Sequence, residues 1–187
     1  MSKGASRYDQ MQIVSLRGLF LAATFAVAAQ PRAEAQNRLK PIVVQNYGIA
    51  IARPKGWYVF GGGELPAFYN FPAENMLPQG ELPPRGAAIR MLVDRDPDGD
   101  LSKWAEKAVI ARRGVNAKKK SLSSAELLVS FDKPPLGDPG DSLCISILVR
   151  RVRGTVFAAE LTYIKGDSHA NQHLAVLREL MKSLRPL

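Results

Sequence analysis

At 187 residues, with a single cysteine and a formal charge of +9, the chain is sized for one domain with a substantial core, since domains usually run about 100–150 residues. One cysteine excludes an intramolecular disulfide, so the core must hold without a covalent staple. The positive balance favours anionic neighbours such as phospholipid headgroups, other envelope polymers or acidic proteins, and does not by itself imply nucleic acid.

Residues 1–35 read as a signal peptide. Arg17 precedes the apolar run Gly18 to Ala29, and Ala33-Glu34-Ala35 supplies the small-x-small pattern of a cleavage site. Cleavage is expected after Ala35. Gln30, Pro31 and Arg32 interrupt the run before it reaches the ~20 apolar residues of a membrane span. A start at Met11 in place of Met1 gives the more ordinary polar lead-in. Four cations and two anions fall in 1–35, which leaves 22 cations against 15 anions in the remainder, a formal +7. Cys144 lies far from the cleavage site, so no thiol is offered there to a lipid; in CISILV it reads as a buried strand residue. Export to the periplasm or beyond is the expectation.

Residues 36–187 read as one domain. Pro41 and the short apolar run after it suggest an edge strand. In Gly48-Ile49-Ala50-Ile51-Ala52-Arg53 the large apolar residues alternate, Pro54-Lys55-Gly56 breaks the run, and Trp57-Tyr58-Val59-Phe60 resumes it: strand, turn, strand. Gly61-Gly62-Gly63 has no lysine or hydroxyl behind it and reads as a turn, not a nucleotide cradle. Another strand over 67–71 leads into a loop rich in proline, Pro72 to Gly86, and Ala87 to Val93 forms the next strand.

A helix follows. Leu101, Trp104, Ala105, Ala108 and Val109 make one apolar stripe, Asp100 is placed to cap the start, and Gly114 suits the stop. Residues 124–131 and 144–152 read as strands, and Arg153-Gly154 turns the second into a hairpin with 155–164. A last helix over 168–184 aligns Ala170, Leu174, Leu177, Leu180, Met181 and Leu184, with Asp167 or Ser168 as its cap. Strands, one helix, three strands and one helix, without βαβ alternation, predict an α+β fold with a largely antiparallel β-sheet flanked by helices.

Two motifs, Tyr47-Gly48-Ile49 with Pro54-Lys55-Gly56-Trp57 at the start and Met181-Lys182-Ser183-Leu184-Arg185 at the end, give the chain from Lys40 to Leu187 a resemblance to the PsbP-like fold family. That family includes thylakoid-lumen photosystem assembly proteins, bacterial envelope proteins and a nuclear import factor. The resemblance implies an α/β/α sandwich and a binding or assembly role, and it transfers no catalytic residue.

Candidate chemistry is sparse. Asp94, Asp96 and Asp98 followed by Gly99 match the first half of a calcium-binding EF-hand loop, but position 105 holds Ala105 where the bidentate acid belongs; the alternative is a turn at Pro97-Asp98-Gly99. His169 and His173, spaced i, i+4 with Asp167 nearby, suit either one metal or a solvated first turn. No Gly-x-Ser-x-Gly elbow occurs, both histidines lie on one terminal helix, and the chain reads as a non-enzyme. Two basic clusters, Arg112-Arg113 with Lys118-Lys119-Lys120 in a loop, and Arg150-Arg151 with Arg153 near a hairpin tip, are the expected contacts for an envelope protein or anionic surface. Trp57 and Trp104 are expected in the core. The function expected is a non-catalytic exported binding or assembly module of the bacterial envelope. The alternatives are a small-molecule or calcium binder using the acidic loop or the cleft under Pro72 to Gly86, and a hydrolase with carboxylate chemistry. No cofactor is expected apart from that calcium.

Overall fold

The computed structural model describes residues 41–60, 65–77, 81–94, 100–135 and 142–187. The signal segment 1–35, the Gly61-Gly62-Gly63 turn and most of the acidic loop lie outside them. The architecture is built on one seven-stranded antiparallel sheet. In chain order its strands are β3 (Tyr58–Phe60), β4 (Ala67–Tyr69), β5 (Ala87–Asp94), β6 (Val115–Ser123), β7 (Glu126–Lys133), β8 (Leu143–Val152) and β9 (Thr155–Ile164), arranged β3-β4-β5-β9-β8-β7-β6. Helix α1 (Leu101–Ala111) follows β5 and helix α2 (Ala170–Ser183) follows β9. This is the α+β sandwich the PsbP-like resemblance implies.

The two central strands explain the layering. Residues alternate across a strand, and here both sets are apolar. Ile145, Ile147 and Val149 of β8 with Val156 and Ala158 of β9 pack on Leu101, Ala105 and Ala108 of α1. Leu148, Phe157, Ala159, Leu161 and Tyr163 face the other way, onto Leu177, Leu180, Met181 and Leu184. A sheet buried on both faces needs a helix on each.

A second, three-stranded sheet joins β1 (Ile42–Val44), β2 (Ile49–Ile51) and β10 (Arg185–Pro186), all antiparallel. It brings the two resemblance motifs together. Arg185 pairs with Ala50, the Leu187 N–H donates to the Gly48 carbonyl at 2.9 Å, and the Ala52 N–H donates to Ser183 Oγ at 3.0 Å. The Pro54-Lys55-Gly56-Trp57 turn closes as expected, with the Trp57 N–H on the Pro54 carbonyl at 3.2 Å and Gly56 at φ 75°.

Several expectations are corrected. Lys118, Lys119 and Lys120 lie not in a loop but on β6, a nine-residue edge strand exposed throughout, so neither face carries the apolar alternation that marks a strand. Asp100 caps α1 as expected, its carboxylate accepting from Ser102 N at 2.8 Å and Lys103 N at 3.4 Å. The left-handed residue ending α1 is Arg113 (φ 54°), not Gly114. Gly114 is needed for a different reason: a Cβ there would lie 2.3 Å from Phe131 Cδ2, a residue buried under α1.

Gly114→Ala is therefore expected to cost roughly 1–3 kcal/mol through overpacking, measured by urea unfolding. In a Phe131→Ala background, itself costing about 3–5 kcal/mol, the same change should cost little. An unchanged penalty in that background would show that Phe131 is not the obstacle.

Candidate functional site

Where β9 runs out, Gly166 turns the chain at φ 89° and Asp167 enters the interior with its side chain 2 % exposed. Both carboxylate oxygens are spent. Oδ1 accepts from the His169 backbone N–H at 2.8 Å and lies 3.1 Å from His169 Nδ1, while Oδ2 lies 3.0 Å from His173 Nε2. A carboxylate accepts, so those two ring nitrogens are the protonated ones. Asp167 thus caps the turn before α2 and locks two imidazoles. His173 is buried, edge-on to Trp57 (centroids 6.1 Å apart, interplanar 87°) and 6.0 Å from the Tyr163 ring. It is not the solvated first turn that the polar sequence allowed, and among the described residues no group of three side chains could hold a metal ion.

Facing this cluster is the end of the loop rich in proline. Arg85 takes a left-handed conformation (φ 61°), which a residue with a Cβ adopts at some cost. Asn70 holds it there: its Nδ2 donates to the Arg85 carbonyl at 3.0 Å and its Oδ1 accepts from the Ala87 N–H at 2.7 Å. Gly86 completes the turn, its N–H on the Pro83 carbonyl at 2.7 Å, with no room for a Cβ beside that proline. Between loop and helix lies a pocket of about 320 Å³ lined by Trp57, Asn70, Arg85, His169, Gln172, His173 and Val176.

Beyond Tyr163 a second polar group crosses the sheet. Asp132 Oδ2 accepts from Lys165 Nζ at 2.8 Å and Asn116 Nδ2 at 3.1 Å, and its Oδ1 receives the Cys144 thiol at 3.5 Å. The Lys165 bond, with that from Asn116, holds the Asp132 carboxyl below its ordinary value, and Asp132 in turn raises Lys165. Burial, with the hydrogen bond to Asp132, pushes the half-buried Cys144 thiol up. A thiol raised in this way carries little thiolate and is a poor nucleophile.

The residues singled out from the sequence are scattered. Asp94 accepts the Trp104 indole N–H at 2.9 Å and ties β5 to α1, leaving Trp104 half-buried; Asp96 and Asp98 lie outside the described residues. Arg112 is engaged by Glu160, and Lys119 by Glu106 and Ser102, all on the α1 side of the sheet. Arg150 faces α2, pairing with Glu126 at 3.2 Å and with the Met181 carbonyl at 3.0 Å, while its neighbour Arg151 points to the opposite face with one guanidinium nitrogen buried and unpartnered. Arg113, Lys118, Lys120 and Arg153 are exposed. The two clusters do not converge on one face. Arg85 and Asn70 were not singled out, although the cleft under Pro72 to Gly86 was.

No protein-family model matches the chain, and no curated protein matches it. Solved structures do. The fold is shared with Mog1p. That Ran-binding protein of Saccharomyces cerevisiae superposes with a TM-score of 0.52 at 11 % identity, over 79 % of this chain and 94 % of its own. Cyanobacterial PsbP from Synechocystis gives 0.45 at 10 % identity over 79 % and 92 %, and LpqN of Mycobacterium tuberculosis, involved in cell envelope biogenesis, gives 0.45 at 14 % over 77 % and 87 %.

Burial pushes the Asp167 carboxyl up, but the hydrogen bonds from the His169 backbone, His173 and the His169 ring outweigh it, and the net displacement is below the ordinary 3.8. A carboxyl lowered in the folded state contributes stability that is full above its unfolded value and is lost as pH falls through the folded one. Asp167→Asn is expected to lose about 2 kcal/mol at neutral pH. Urea unfolding of the two proteins should show this gap closing below pH 3.8. A gap constant from about pH 6 to about pH 2 would contradict the charged lock.

Proposed function

We propose that this domain is a non-catalytic binding module exported to the bacterial cell envelope. The observation that carries the reading is the pocket between the Arg85 turn and the first turns of α2, whose walls are fixed by Asn70 on one side and Asp167 on the other. A backbone turn held by Asn70 and imidazoles held by Asp167 around an open volume of about 320 Å³ suit recognition, because that part of the wall has little freedom left to lose on binding. The histidines are held by Asp167 rather than aligned on a nucleophile, and the cysteine is bonded to Asp132 with its thiol raised. These features favour binding over nucleophilic catalysis. The Ran-binding role of Mog1p adds that this scaffold serves recognition elsewhere. Export rests on the signal pattern of residues 1–35.

A second reading, docking of an acidic protein or anionic surface along β6, is favoured by Lys118 and Lys120. Both are exposed on the edge strand, and neither has an ion-pair partner among the described residues. Edge lysines also deter strand pairing, so salt dependence discriminates: contacts made by these lysines should weaken steeply as ionic strength rises.

Expression in a bacterial host followed by fractionation and mass spectrometry is expected to find the protein in the periplasm with Gln36 as its first residue. In-cell crosslinking should then recover a discrete partner, lost in Lys118→Glu/Lys120→Glu if β6 is the docking edge. An unprocessed chain in the cytoplasm would overturn the envelope assignment.

A further inference from the structure

We infer that the pocket between Arg85 and α2 is a site for a small organic anion, a carboxylate carried on a compact apolar or aromatic body. The inference rests on reading this pocket as the binding site and adds the class of its ligand. The charge of the lining is the first argument. Among its seven described lining residues are one arginine and no acid. The Asp167 carboxylate, which touches His169 and His173 of the lining, has both oxygens turned onto their imidazoles. Arg85, by contrast, is exposed and its guanidinium has no partner among the described residues. Elsewhere Arg112 and Arg150 each have a glutamate.

Unspent hydrogen-bonding groups are the second argument. Trp57 is 6 % exposed and lines the pocket, and its indole N–H has no acceptor among the described residues. A buried indole N–H ordinarily finds a partner. The Gln172 amide on α2 is likewise uncommitted. Arg85 and Trp57 together present donors whose natural counterpart is a carboxylate, and charge-assisted bonds of this kind are the strong ones. The Trp57 ring and Val176 supply an apolar wall, and about 320 Å³ is the small end of ligand-sized pockets.

Arg85 also sits where its backbone is strained, at φ 61°, with its side chain exposed. Glycine is the residue that position would favour for stability. Keeping there an arginine whose guanidinium has no partner among the described residues is accounted for by a ligand.

The test is calorimetric titration of the purified protein with sodium benzoate, its neutral isostere benzamide, and inorganic phosphate. Benzoate is expected to bind at least about tenfold more tightly than benzamide, a difference of about 1.4 kcal/mol, and phosphate more weakly than benzoate for want of the apolar wall. Arg85→Gly should lower benzoate affinity by about tenfold or more while leaving the melting temperature unchanged or raised, a combination that a structural role would not produce. Arg85→Lys should keep part of the affinity. Equal binding of benzoate and benzamide, both weakened by Trp57→Phe, would overturn the anion assignment and leave the pocket a binding site. Failure of benzoate to bind at about 10 mM, or full benzoate affinity in Arg85→Gly, would overturn the inference. Partner capture in the crosslinking experiment would be untouched by either result.

Discussion

The molecule is organised by a hairpin that is buried on both faces. Strands β8 and β9 pair over ten residues, from Leu143 opposite Ile164 to Val152 opposite Thr155, and present apolar side chains in both directions. Neither face can be left to water at about 25 cal/mol per Å² of apolar surface. One is covered by α1, the other by α2 together with the small sheet, so the positions of both helices follow from this pair of strands. The two buried polar residues within the hairpin are matched: Glu160 meets Arg112, and Ser146 meets Ser130 at 2.9 Å.

Helix α2 carries the consequence to the site. Its packing on β8 and β9 aims its first turn at Trp57 and at the turn before β5, and Asp167 fixes how the chain enters the helix. The same carboxylate that orders the turn also immobilises His169 and His173, so the pocket wall and the helix start are one piece of structure. On the facing side Asn70 does for Arg85 what Asp167 does for the histidines. The loop is long in sequence but pinned at its end, and the pocket is bounded by two clamped segments.

Legibility from sequence tracks burial. β5, β7, β8, β9 and both helices leave periodic apolar traces, and their spans were readable to within a few residues. β6 leaves none because neither of its faces is covered, and β10 is two residues long and exists because α2 delivers the chain to β2. The site was half visible. The i, i+4 histidines stood out, and His173 falls four residues before Leu177 on the buried stripe, a signal of burial that its polar neighbours Asn171 and Gln172 masked. Arg85 carries no local mark beyond a Pro-Pro-Arg-Gly turn. Its meeting with α2, more than eighty residues later, is a product of tertiary packing alone. The basic clusters illustrate the converse: adjacent in sequence, Arg150 and Arg151 point to opposite faces because a strand alternates.

The inferred anion would sit against Trp57 in the pocket beside α2. The most direct measurement is the pair of indole N–H resonances in a protein labelled with heavy nitrogen, since the chain has two tryptophans and Trp104 donates to Asp94 on the other side of the sheet. On addition of benzoate a saturable shift of the Trp57 indole signal is expected, with Trp104 unmoved. Movement of Trp104 instead, or of neither, would contradict it.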